Sequence, residues 1–146
     1  MGIGPGRAVI FLDSWIWLEY VFDGEKADDA EAAIERANTP DEGGLLAPTV
    51  LTEVSYRVCV IDNEKTAAKT VNAIRDYENI RTVPVGTEIG VSAAELRAKY
   101  YQSGEQELSY ADAIHLATAV AADDCDALYS GDPDFRGIEE IDTVVL

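Results

Sequence analysis

Basic side chains are scarce in this sequence. Eleven Lys and Arg stand against 28 Asp and Glu, a formal net charge of −17. A surface that acidic repels phosphate backbones and anionic lipid at low salt, which excludes a nucleic-acid binder working through a broad basic face. It leaves open an enzyme that meets nucleic acid through bound metal. The same acidity, with few lysines, also suits a protein that stays soluble in concentrated salt, where charge is screened over a few ångströms. Cysteine and histidine are equally sparse. Cys59 and Cys125 lie in helix-like apolar segments without CxxC spacing, so buried free thiols are expected rather than a disulfide. Two Cys and one His leave no room for a zinc site of the usual ligand set. No apolar run approaches the roughly 20 residues of a membrane span. The stretch from Met1 to Arg7 has neither an apolar h-region nor a small-residue cleavage site, so cytoplasm is the expected location, with no membrane partner. No Gly-rich loop with Lys follows a strand, which excludes a Walker-type NTPase.

What is present is enough apolar material for a core: 47% of 146 residues, the size and composition of one globular domain. After a lead-in of residues 1–7, expected to be flexible, the domain is expected over residues 8–146. Ala8 to Leu12 is a continuous apolar run, the mark of a strand buried on both faces. Asp13 or Ser14 then caps a helix from Trp15 to Val21. Ala27 to Ala37 reads as an acidic amphipathic helix and Leu45 to Ala47 as a short strand. Pro48 opens a helix to about Val60. Glu64 to Tyr77 reads as a helix with Ala67, Ala68, Val71 and Ile74 on one face. Ile80 to Val85 alternates as a strand, and Thr87 caps a helix from Glu88 to about Tyr101. Ser109 caps Tyr110 to Ala122, with Ala113, Leu116, Ala117 and Val120 on the buried side. Ala127 to Ser130 and Thr143 to Leu146 read as strands, separated by a turn over Gly131 to Asp134. Strands alternating with helices predict an α/β fold, a central parallel sheet of about five short strands covered by helices on both faces.

In such sheets ligands bind beyond the carboxyl ends of the strands. Asp13 closes the first strand, and Glu53 lies near the start of the helix after the second. Asp112 lies in the first turn of the helix capped by Ser109, and Asp132 follows the strand ending at Ser130, with Asp134 two residues on. Carboxylates gathered on one rim raise one another's pKa unless a cation joins them. A hard divalent ion is the natural counterpart, taking oxygen ligands and completing its shell with water and substrate phosphate. The bland alternative is that these acids are helix caps and solvated surface charges.

The residues Phe11-Leu-Asp13-Ser14, Pro48-Thr-Val-Leu-Thr-Glu53-Val, Leu108-Ser-Tyr-Ala-Asp112-Ala-Ile-His-Leu-Ala117 and Tyr129-Ser-Gly-Asp132-Pro-Asp134-Phe135 occur in an order that resembles a PIN-domain ribonuclease. The likeness is in particular to the VapC-type toxin of a VapBC toxin–antitoxin pair, and it covers Ala8 to Leu146. It implies a Mg²⁺- or Mn²⁺-dependent endoribonuclease. By resemblance Asp13, Glu53, Asp112 and Asp132 match the acidic metal-binding residues, and Ser14 and Ser130 match hydroxyl residues lining the site. Asp13, Asp112 and Asp132 would hold the ion, while Glu53 would ligate a second ion or orient the attacking water. The resemblance also implies a homodimer and a cognate VapB-like antitoxin that blocks the site. The last motif departs from the pattern in offering both Asp132 and Asp134. Asp132 is preferred, because Pro133 directs the chain away and Asp134 can cap the following turn.

Other residues have two readings each. His115 lies three residues after Asp112 on one helix, where a packed or supporting role is expected and a metal-dependent mechanism needs no His base. Trp15 and Trp17 are expected in core or dimer packing. Lys65 and Lys69 share a helix face that could hold phosphates or simply be solvated. Tyr100, Tyr101 and Tyr110 flank a loop and could stack on bases or be partly buried. A rival from another class is a non-catalytic PIN-like module that acts by protein association. A phosphoacceptor receiver domain fits poorly, since it needs an acidic pair after the first strand and a lysine after a late one.

Overall fold

The computed structural model describes residues 8–146; the expected flexible lead-in, residues 1–7, lies outside the described residues. The chain runs β1 (Val9–Leu12), α1 (Ser14–Val21), α2 (Ala27–Ala37), β2 (Gly44–Leu46), α3 (Pro48–Ile61), α4 (Glu64–Arg75), β3 (Ile80–Thr82), α5 (Thr87–Tyr100), α6 (Tyr110–Ala121), β4 (Cys125–Ser130), a 3₁₀ turn (Pro133–Phe135) and β5 (Asp142–Val145). The five strands form one parallel sheet in the order β3-β2-β1-β4-β5. Six helices flank it, as expected from the alternation of apolar periods.

β1 sits at the centre, with Phe11 opposite Leu45 on one side and Leu128 on the other. Successive strand side chains point to opposite faces. All four residues of β1 are at most 1% exposed, so both faces of the sheet are covered. The chain leaves β1 toward β2 and β3, then crosses back to β4 on the other side of β1. Right-handed crossovers in the two directions send their helices to opposite faces. The crevice where those directions diverge lies beyond the carboxyl ends of β1 and β4.

Several expectations need correction. Cys125 opens β4 rather than lying in a helix, and both cysteines are free but half-buried. The Cys125 thiol, pushed up by burial to about 11, stays protonated. β3 is shorter than the alternation suggested: Val83 still donates to the Leu46 carbonyl, and Pro84 then has no N–H to continue the ladder. The N-cap of α5 is Gly86, not Thr87, and it supplies no side-chain bond. Val120 is 39% exposed, whereas Thr118 and Ala119 are fully buried. On α4, Ala67 and Ile74 face the core but Ala68 is exposed. No helix among the described residues is long and apolar enough to cross a membrane.

Candidate active site

β1 ends at Leu12, and its direction carries the next residue straight to the sheet rim. There Asp13 is the N-cap of α1, 2% exposed, and its Oδ2 accepts the Trp15 N–H at 3.3 Å. Ser130, the last residue of β4 and fully buried, donates its hydroxyl to the same oxygen at 2.8 Å. Asp13 Oδ1 lies 2.8 Å from His115 Nδ1. The carboxylate is thus gripped from three elements. The neighbouring Ser14 points elsewhere, donating its hydroxyl to Glu53 Oε1 at 2.9 Å. Glu53 comes from α3, which Pro48 opens at its first helical position.

Asp112 enters from α6. Ser109 caps that helix by accepting the Asp112 N–H at 3.0 Å, while Asp112 reaches back to accept the Ser109 N–H at 3.3 Å. This capping box holds a carboxylate at a helix N-terminus, where backbone N–H groups favour negative charge. Even so, burial first and the charge of Asp13 second push its carboxyl up to about 6. One turn further along α6, His115 stands beside Asp13. Ligand atoms of Asp13, Asp112 and His115 all lie within 4.8 Å of one another.

Asp132 follows β4. Its N–H donates to Ser130 Oγ at 3.1 Å, and its Oδ1 accepts the Asp134 N–H at 2.9 Å. It is therefore Asp132 that caps the 3₁₀ turn, which corrects the expectation that Asp134 does so; the peptide N–H of Asp134 is the capped group. Asp132 lies outside the tight group of Asp13 and Asp112, yet its charge contributes to the raised pKa of Asp112. Its own carboxyl is raised by burial and by the charges of Asp134 and Asp13, against the lowering effect of the Asp134 N–H. Among the described residues, no Lys or Arg forms an ion pair with Asp13, Glu53, Asp112 or Asp132.

His115, for which a packed or supporting role was expected, is buried against Asp13. A histidine three positions after an aspartate on a helix shares its face, and that spacing was the available signal. Its contact with Asp13, 102 residues away, was not visible. The aromatic residues divide. Trp17 is in the core against Tyr77, whereas Trp15 is half-buried and lines a surface groove of about 370 Å³ with Leu18, Glu19, Phe22, Arg57 and Ile61. Tyr100 is buried and hydrogen-bonded to Glu140. Tyr101 and Tyr110 instead sandwich the Arg97 guanidinium, at 4.5 and 4.3 Å.

No curated protein matches the chain in sequence. Solved structures share its fold. VapBC2 from Rickettsia felis, bound to a DNA fragment from its promoter, is 15% identical with a TM-score of 0.72, over 93% of this chain and 97% of that one. VapC20 of Mycobacterium tuberculosis, a Sarcin-Ricin loop cleaving toxin, is 21% identical with a TM-score of 0.69, over 90% and 98%. VapBC-1 from nontypeable Haemophilus influenzae is 10% identical with a TM-score of 0.71, over 94% and 97%. At these identities the likeness is one of fold. The family model of the PIN domain matches residues 10–141, nearly the whole described chain, and on that match this protein belongs to the PIN-domain family.

Proposed function

We propose that this chain is a divalent-metal-dependent endoribonuclease that cleaves RNA phosphodiester bonds, and the toxin of a type II toxin–antitoxin pair. The observation that carries the reading is the approach of Asp13 and Asp112 at the switch point of the sheet, with Asp132 near and, among the described residues, no Lys or Arg paired with them. A donor set dominated by carboxylate oxygens fits a hard cation such as Mg²⁺ or Mn²⁺ better than a softer metal. Asp13, Asp112 and Asp132 would hold it. When bound, such an ion supplies activation of a water and charge stabilisation for the oxygens attacking and leaving phosphorus.

The chain's own residues do the rest. Asp13 is immobilised by Ser130, Trp15 and His115 before any substrate arrives. A cation joining Asp112 would lower its carboxyl pKa again, offsetting the rise that burial and Asp13 cause. Glu53, which accepts the Ser14 hydroxyl, would ligate a second ion or orient the attacking water. The acidic surface is then no obstacle to a polyanion at this one spot.

Structural neighbours described as VapBC or as a toxin–antitoxin complex support a VapB-like partner for this chain. A chain of charge −17 attracts a basic inhibitory segment, and an Arg or Lys from it entering the cluster would block the site. The working form is a cytoplasmic homodimer. The test is incubation of purified protein with mixed structured RNAs in high salt, with Mg²⁺, Mn²⁺ or EDTA, beside Asp112→Asn. Metal-dependent cuts lost in the variant are the expected result. Absence of both cuts and metal binding would instead favour a non-catalytic interaction module.

A further inference from the structure

The sole histidine of the chain is fully buried, between carboxylates from two other elements. Nδ1 lies 2.8 Å from Asp13 Oδ1, and Nε2 lies 3.7 Å from Glu53 Oε1, beyond hydrogen-bond range. A carboxylate only accepts, so the Nδ1 proton points at Asp13. Nε2 has no hydrogen-bond partner. A core that needed only volume beside Phe11, whose ring centroid is 5.8 Å away, would be served better by Leu or Phe.

The lone pairs of Asp13 show what the ring does. A carboxylate has about four acceptor positions. Oδ2 receives two donors, Trp15 N–H and Ser130 Oγ–H, and Oδ1 receives one, from His115. The position left over is therefore on Oδ1, the oxygen His115 grips. Without that grip the carboxylate keeps its Oδ2 bonds but can pivot about them, so Oδ1 no longer has one orientation. We infer that His115 is a positioning residue: its Nδ1–H holds Asp13 so that Oδ1 presents a single free lone pair to a divalent cation. His115 is not itself a ligand, because Nδ1 is committed to Asp13 and Nε2 is sealed from solvent.

This inference rests on the metal reading above. It is tested on the full chain by Mn²⁺ titration, followed by calorimetry and by electron paramagnetic resonance, in wild type, His115→Asn and His115→Leu. The two substitutions are nearly isosteric, and only the Asn amide can donate to Asp13 near the place of Nδ1. His115→Leu should bind Mn²⁺ at least about 10-fold more weakly, the scale of losses for groups that orient metal ligands, while His115→Asn stays within about 3-fold of wild type. Mn²⁺ in the wild type should show no imidazole nitrogen coupling. Equal affinity in all three proteins, equal losses in both variants, or a nitrogen coupling would each overturn the inference while leaving metal binding intact. If His115→Leu does not fold, His115→Phe, which keeps the ring packing, takes its place. A wild type that binds no Mn²⁺ sinks the metal reading and this inference with it.

Discussion

Asp112 shows how a single side chain can trade stability for function. Its carboxyl is raised from 3.8 to about 6 by burial and by Asp13, so the folded state holds this proton more tightly than the unfolded chain does. The stability it contributes is complete below pH 3.8 and is lost as pH rises through about 6. Asp112→Asn cannot ionise. In EDTA its stability relative to wild type should therefore increase between pH 4 and pH 7, reaching about 1–2 kcal/mol after allowance for partial solvent exposure. Thermal denaturation of both proteins at pH 4 and pH 7.5 measures this, and a constant difference would refute it. Glu53 lies in the second turn of α3, but Asp13, Asp112 and Asp132 were legible as rim residues because each follows a strand or opens a helix, where chain direction alone places it. His115 was not, because a helix position says nothing about which distant carboxylate the ring will face.

At the scale of elements, the site depends on how closely α1 approaches the end of β4. A Cβ built on Gly131 would fall 2.1 Å from Cε2 of the Trp15 indole, which Gly alone avoids. Gly131→Ala must displace that ring or the turn between Ser130 and Asp132. It should cost about 1–3 kcal/mol, the usual penalty of overpacking, and lower the affinity for Mn²⁺ as Asp132 shifts. Urea denaturation at pH 7.5 and the same titration test both; wild-type values in the two would show that the indole swings aside freely. Element types were readable, since short apolar runs, continuous or alternating, are interleaved with segments of helical period along the chain. Boundaries and faces were less so. With Pro84 stopping the ladder, β3 ended three residues before the alternation did, and Val120 and Ala68 matched the helical period but point to solvent. Periodicity finds a stripe, while its width depends on neighbours in space.

For the whole molecule the dominant quantity is a charge of −17 spread over 146 residues. The ion pairs Arg36–Glu42, Arg81–Asp124 and Lys99 with Glu139 and Glu140 all include exposed groups, so screening them sacrifices little. Screening the excess acids relieves self-repulsion across the molecule. The melting temperature should rise by about 5 °C or more between 0.1 M and 2 M KCl, since each kcal/mol moves a chain of this size by about 4 °C. A flat or falling curve in scanning calorimetry would show that repulsion is not what limits its stability. The order β3-β2-β1-β4-β5 has another consequence, one of timing. β1 meets β4 through pairs such as Val9 and Cys125, and Asp13 gains its grip from residues 115 and 130. Contacts this far apart in sequence close late and fold slowly. A chain emerging from the ribosome therefore carries Asp13 and Glu53 long before it owns Asp112 or Ser130. Synthesis itself acts as a delay: Asp13 and Glu53 cannot meet Asp112 and Asp132 until the chain has been made past β4.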